Sequence, residues 1–207
     1  ALLNILAGIE KESSGTVLYD DEPYQSNWLG KILPHVEIFY SNNPELESSS
    51  QTVAGYVAEK FGKKKNVIEN RYFNEGSFRN LWSRKMKLIS QGERHWLGMI
   101  LACEADPRVL LVDDYGIYFN ANMEKDFRNQ LTKMNRTLGT TLVLSSPTDV
   151  HLKKFASVLI YLDNGHISKI RPGLSRSSQR HPSRDKKDHK NNHGNRNSRN
   201  QNSKNKR

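Results

Sequence analysis

The chain has 207 residues, of which 35% are hydrophobic and 26% charged, and a formal net charge of +10. That length suits one domain with something added, or part of a larger one. The charge is confined to the end: Arg171–Arg207 holds twelve Lys/Arg against two Asp/Glu, which leaves twenty of each sign in residues 1–170. The body is therefore neutral, and its composition does not support a nucleic-acid-binding globular domain. No apolar run reaches the length of a membrane span, and Ala1–Ile9 does not read as a secretory leader. The one cysteine, Cys103, excludes an internal disulfide framework and a Cys-based zinc site. It lies in an apolar helical run and reads as a small buried hydrophobe.

Leu2, Leu3, Ile5 and Leu6 are apolar at helical spacing, and Gly8 is placed to end that helix. The chain thus starts inside a helix with no capping residue before it, as a stretch of a longer protein would. Thr16–Tyr19 and His35–Tyr40 read as strands, the second followed by the turn Ser41-Asn42-Asn43-Pro44. Residues 51–61 have helical periodicity, with Val53, Tyr56, Val57 and Phe61 on one face. The run Lys63-Lys64-Lys65 reads as a solvated loop.

Ser90-Gln91-Gly92-Glu93 precedes a helix whose apolar face is Trp96, Leu97, Ile100 and Leu101, and Asp106-Pro107 stops it. Val109–Val112 is a continuous apolar run ending in Asp113-Asp114, the pattern of a strand buried on both faces in a parallel sheet. Residues 123–135 are helical, Gly139 ends that helix, and Thr140–Leu144 is another apolar strand. Residues 149–156 read as helix. Val158–Leu162 and His166–Ile170 are strands joined at Asp163-Asn164-Gly165 as a hairpin. Alternating strands and helices predict an α/β fold with a mainly parallel sheet. Residues 175–207 contain no aliphatic side chain and cannot offset their ordering entropy, which predicts a disordered basic tail over 171–207.

Two segments carry chemistry. Acids at the end of a buried strand can place one carboxylate near Mg²⁺ and a second to polarise an attacking water, although such pairs are often only a solvated strand end. A hydroxyl residue and a glycine opening a helix can bind phosphate through backbone N–H groups and the helix dipole. Ser90 with Glu93 three residues on is equally the pattern of a capping box.

Taken together, order and spacing resemble the ATP-binding cassette (ABC) ATPase family. Ser90-Gln91-Gly92-Glu93-Arg94 is similar to the family's signature motif, twenty-three positions before Asp113 as the Walker B aspartate. Ala105–Asp113 is similar to the stretch that leads into Walker B. Leu2–Gly8 with Ser14–Val17 resembles the helix and strand that follow the phosphate loop, and Gly139–Leu144 and Leu162–Ile167 resemble the last strands. The resemblance covers residues 1–170 and implies a P-loop NTPase-like sheet flanked by helices, with a small helical subdomain at roughly 50–90. It implies ATP and Mg²⁺ as cofactors, a second cassette and a transmembrane transporter subunit as partners, and a cytoplasmic place on the inner face of the membrane. It assigns Mg²⁺ to Asp113, the catalytic base to Asp114, and nucleotide contacts to Ser90, Gln91, Gly92, Glu93 and Asn42.

The same resemblance places the phosphate loop immediately before Ala1. Several matched positions depart from the family: Asn42 stands for the Q-loop glutamine, Gln91 for the first signature glycine, Asp114 for the catalytic glutamate, Asn120 for the D-loop aspartate and Pro147 for the switch histidine. Together they imply weak or lost hydrolysis. Three readings follow: a transport motor whose residues Val53–Lys87 contact the membrane partner, an impaired subunit that only completes a partner cassette's ATP site, and an RNA- or ribosome-associated cassette. The tail motivates the third, since its cations suit phosphate on RNA and anionic lipid alike.

Overall fold

A computed structural model of the chain describes residues 1–173. The expected tail, from residue 174 onward, lies outside the described residues. In chain order the helices are α1 (Leu2–Leu6), α2 (Glu45–Ser48), α3 (Val53–Phe61), α4 (Lys65–Tyr72), α5 (Gln91–Ala105) and α6 (Ala121–Lys133). The strands are β1 (Leu18–Tyr19), β2 (Glu22–Pro23), β3 (Ile38–Tyr40), β4 (Val109–Val112), β5 (Thr141–Leu144), β6 (Val158–Asp163) and β7 (His166–Pro172).

The centre is a parallel sheet in the order β3-β4-β5. Its middle strand is the continuous apolar run, and Leu110, Leu111 and Val112 are buried. Parallel strands need covered faces, which explains an unbroken run where an alternating one would leave a polar face. Beside the sheet packs α5, with Leu97, Ile100 and Leu101 buried in the same core as Leu110 and Val112. Its path is set at Gly98. A Cβ there would lie 2.1 Å from the Ser41 carbonyl oxygen, so only glycine lets the helix pass so close to the end of β3.

Residues 45–88 fold as short helices around Val53, Val57, Ile68, Leu81 and Met86, all buried. Aromatic side chains close this unit: Phe78 stacks on Trp96 at 3.8 Å, and Phe73 meets the Trp96 edge at 5.2 Å. Tyr56 and Phe73 are thus buried, and Phe61, Tyr72, Phe78 and Trp82 are partly buried against the same core.

Several elements differ from their sequence reading. Lys63–Lys65 is helical, in a 3₁₀ turn (Gly62–Lys64) that runs into α4, although Lys63 and Lys64 are exposed as expected. The strand read at Thr16–Tyr19 shrinks to Leu18–Tyr19, since its partner β2 is only two residues long and pairs with those two alone; Asp20 and Asp21, both in left-handed backbone, turn the chain between them. Residues 149–156 form only a 3₁₀ turn at Leu152–Lys154. β5 is half-buried rather than fully buried, since it is an edge strand of the three-stranded sheet. β6 and β7 pair with each other as the expected hairpin, in a sheet of their own that reaches Pro172. Cys103 is half-buried against the core, and burial pushes its thiol up to about 12.

Candidate nucleotide site

Asp113 and Asp114 leave the C-terminal end of β4, both half-buried. Register decides what surrounds them. Val112 pairs with Leu144, so the residues that follow each strand, Asp113 and Ser145, are neighbours. The Ser145 hydroxyl donates to Asp113 Oδ1. The Asp114 N–H reaches both Asp113 Oδ1 at 3.1 Å and Ser145 Oγ at 3.3 Å. On the other flank stands the phenol of Tyr40, at the end of β3, close enough to feel the Asp113 charge. Burial, and then the Asp113 charge, push that phenol up to about 12, so it stays a donor at neutral pH.

Asp114 has φ of +54°, the left-handed region that residues bearing a Cβ seldom enter. It begins a tight turn closed by the Ile117 N–H on the Asp114 carbonyl at 3.2 Å. The Tyr115 N–H donates to the Ser145 carbonyl at 2.8 Å, and its ring is buried. Among the described residues no group of three or more His, Cys, Asp or Glu could hold a metal alone. One carboxylate fixed beside a hydroxyl, with a second acid adjacent, does suit Mg²⁺, which keeps several waters and binds through one or two carboxylates plus substrate phosphates.

The second segment opens α5. Ser90 is its N-cap, with a complete capping box to Glu93. The Glu93 carboxylate accepts from the Ser90 N–H at 2.7 Å and the Ser90 hydroxyl at 2.8 Å, and pairs with Arg84 at 2.8 Å. Burial works against its charge, but these partners prevail and hold its carboxyl below the usual range. Glu93 is thus engaged in the cap and the ion pair, while Ser90 and Gln91 are exposed and Gly92 is half-buried. A Cβ on Gly92 would lie 3.9 Å from Tyr118 Cβ, and the His95 ring sits 4.5 Å from the Tyr118 ring, so the start of α5 packs beside the segment that follows Asp114. Burial pushes the His95 imidazole below its usual range, against the opposing pull of Asp114 and Asp113.

Asn42 follows β3 and accepts from the Ser41 hydroxyl at 2.7 Å. Asn120 is the N-cap of α6, accepting from the Asn122 and Met123 N–H groups at 3.1 and 2.9 Å. Pro147 is exposed in the segment after β5.

Sequence reasoning missed Tyr40, Ser145 and His151. The first two had a signal, since parallel pairing makes the ends of β3 and β5 the neighbours of the end of β4. His151 had none, because the helix read at 149–156 does not form. Its ring lies against Gly116, and its Nδ1 is 3.7 Å from the buried Glu124 carboxylate.

The chain's fold is that of ABC ATPase cassettes. It superposes on a dimeric bacterial ABC transporter cassette, MJ0796, with a TM-score of 0.65, 17% identity, and coverage of 83% of this chain and 78% of that one. It superposes on cbiO1 from Clostridium perfringens, part of the ABC transporter complex cbiONQ, with a TM-score of 0.58 and 16% identity over 86% and 72% of the two chains. The sequence is similar to the sulfate/thiosulfate import ATP-binding protein CysA 2 of Agrobacterium fabrum, 24% identical over 190 residues, 88% of this chain and 54% of that protein. It is also similar to the spermidine/putrescine import ATP-binding protein PotA of Bacillus thuringiensis (strain Al Hakam), 25% identical over 175 residues, 82% and 52% of the two. No protein-family profile matches the chain. In fold and sequence the chain is similar to ABC-type ATP-binding cassettes, and it spans about half the length of the curated relatives it matches.

Proposed function

We propose that this chain is the ATP-binding portion of an ABC-type transporter, acting as a cassette dimer beneath a separate membrane subunit on the cytoplasmic face. The observation that carries the reading is the carboxylate pair at the end of the buried parallel strand β4, with Asp113 fixed by Ser145. It gains support from the likeness of the whole fold and sequence to ABC cassettes.

In this reading Asp113 would hold Mg²⁺ through water, and Mg²⁺ would neutralise charge on the phosphates. Asp114 would accept the proton of the attacking water. Ser90 and Gly92 would meet the γ-phosphate of the nucleotide held by the other cassette, Gln91 and Glu93 would frame that contact, and Asn42 would reach toward the metal's water shell. Phosphate binding at Ser90 requires its hydroxyl to turn from Glu93 toward the ligand, which its exposure permits.

The helical segment at roughly 50–90 would face the membrane subunit. A groove of about 550 Å³ beside it, floored by Phe39, Leu46 and Phe61 and rimmed by Lys60 and Lys64, would take that subunit. No helix among the described residues is long and apolar enough to cross a membrane, so in this reading the span belongs to the partner. Residues 174–207 would add contacts to anionic lipid or RNA. Deleting them and measuring binding to anionic vesicles and to RNA separates those two.

A second reading, an impaired subunit that completes a partner's site, is favoured by Pro147. It stands for the switch histidine yet has no N–H and no group to exchange a proton. Mg-ATP turnover of the protein beside an Asp114→Asn variant decides between them. Turnover that the substitution abolishes supports the motor. Turnover that appears only when a second, active cassette is added, and that Asp114→Asn does not change, supports the impaired subunit.

A further inference from the structure

Behind the turn that carries Asp114 lies a polar cluster that the reading above does not use. Glu124, one turn into α6, is buried. Its carboxylate lies 3.2 Å from Arg128 Nε, 3.7 Å from His151 Nδ1 and 3.5 Å from the Tyr115 hydroxyl. The His151 ring covers Gly116, whose φ is +85°, so closely that a Cβ there would lie 2.8 Å from His151 Cδ2. Glu124 thus touches the Asp114 turn twice: directly through Tyr115, and through His151 onto Gly116. His151 Nδ1 is buried with no hydrogen bond among the described residues, so the carboxylate 3.7 Å away is the acceptor it faces. An anion buried among a guanidinium, an imidazole and a phenol has its charge met on three sides, which burial demands.

We infer that His151 is a positioning residue for Asp114. Its ring, seated beside Glu124, closes over Gly116 and holds the Asp114–Gly116 turn in its left-handed form. Pro147, four residues earlier in the same connection, supplies no such contact in the geometry described. The inference rests on the role proposed for Asp114, but its first consequence is structural and is read without turnover.

The test is amide hydrogen exchange on the full chain, with His151→Ala and His151→Gln. Gln keeps an N–H donor near Glu124 and some bulk over Gly116. The expected result is exchange at residues 114–117 faster by about tenfold or more in His151→Ala, with β4 and α5 unchanged and His151→Gln lying between Ala and the native chain. Unchanged exchange at 114–117, or acceleration spread equally over β4 and α5, would overturn the inference. Where the protein turns over Mg-ATP, His151→Ala should lower kcat with KM held; a rise in KM alone counts against it. Exchange that behaves as expected in a protein that neither binds nor turns over Mg-ATP would sink the proposed function and leave the role of His151 in the turn standing.

Discussion

Three strands meet at Asp113. Tyr40 ends β3, Asp113 itself follows β4 and Ser145 follows β5, so one carboxylate reports the register of the whole sheet. Removing the hydroxyl in Ser145→Ala deletes a hydrogen bond to a charged group, a loss of about 1.5–3 kcal/mol in stability, measurable by urea denaturation. On the reading of Asp113 as the Mg²⁺ residue, the same variant should raise the Mg²⁺ needed for half-maximal nucleotide binding about 10–100-fold, as loss of a group that orients a metal ligand does. Isothermal titration with and without Mg²⁺ checks it. Tyr40 adds a pH prediction. Its phenol, and that of Tyr72, are pushed from 10.0 to about 12, chiefly by burial. A raised folded value means that the native state holds its proton more tightly than the unfolded chain does. The associated stability is therefore intact below pH 10 and is lost as pH rises from 10 to about 12. Urea midpoints taken across that window should fall, and a Tyr40→Phe variant should fall less.

Helix starts are where chemistry and folding compete for the same atoms. Asn120 accepts two N–H groups at the start of α6, the work of a capping side chain. An aspartate there would cap as well, so the exchange leaves the helix intact while removing a charge from the segment that the resemblance matches to the D-loop. Asn120→Ala should cost about 1 kcal/mol, and up to about 2, read from the thermal midpoint. At α5 the capping box was legible in the sequence, because Ser90 and Glu93 stand three apart before an apolar face. That Glu93 would also bind Arg84 was not legible, since the pairing depends on how residues 82–90 return to the helix. Strand β4 was readable for a simple reason: an apolar run with no polar alternation has only one kind of home. Residues 149–156 misled because their spacing fits a helix in isolation. In the folded chain His151 and Leu152 are held to α6 and the core instead, and only a single 3₁₀ turn survives.

The described residues form a small parallel sheet, a helical segment closed by stacked aromatics, and two antiparallel hairpins. The α/β class and the order of the chemical segments could be read from spacing alone. How little of β5 and β6 is buried could not, because burial belongs to neighbours and not to the strand's own residues. The passage of α5 over Ser41 joins these scales. With the helix backbone seated on the backbone of the strand end, there is no side chain at Gly98 to yield. Ser90 at one end of α5 and Asn42 beside its middle are therefore set on one rigid lever. A push on the helical segment that tips α5 cannot be absorbed at Gly98 and, in the proposed reading, would reach two nucleotides at once: the partner cassette's through Ser90 and this chain's own through Asn42.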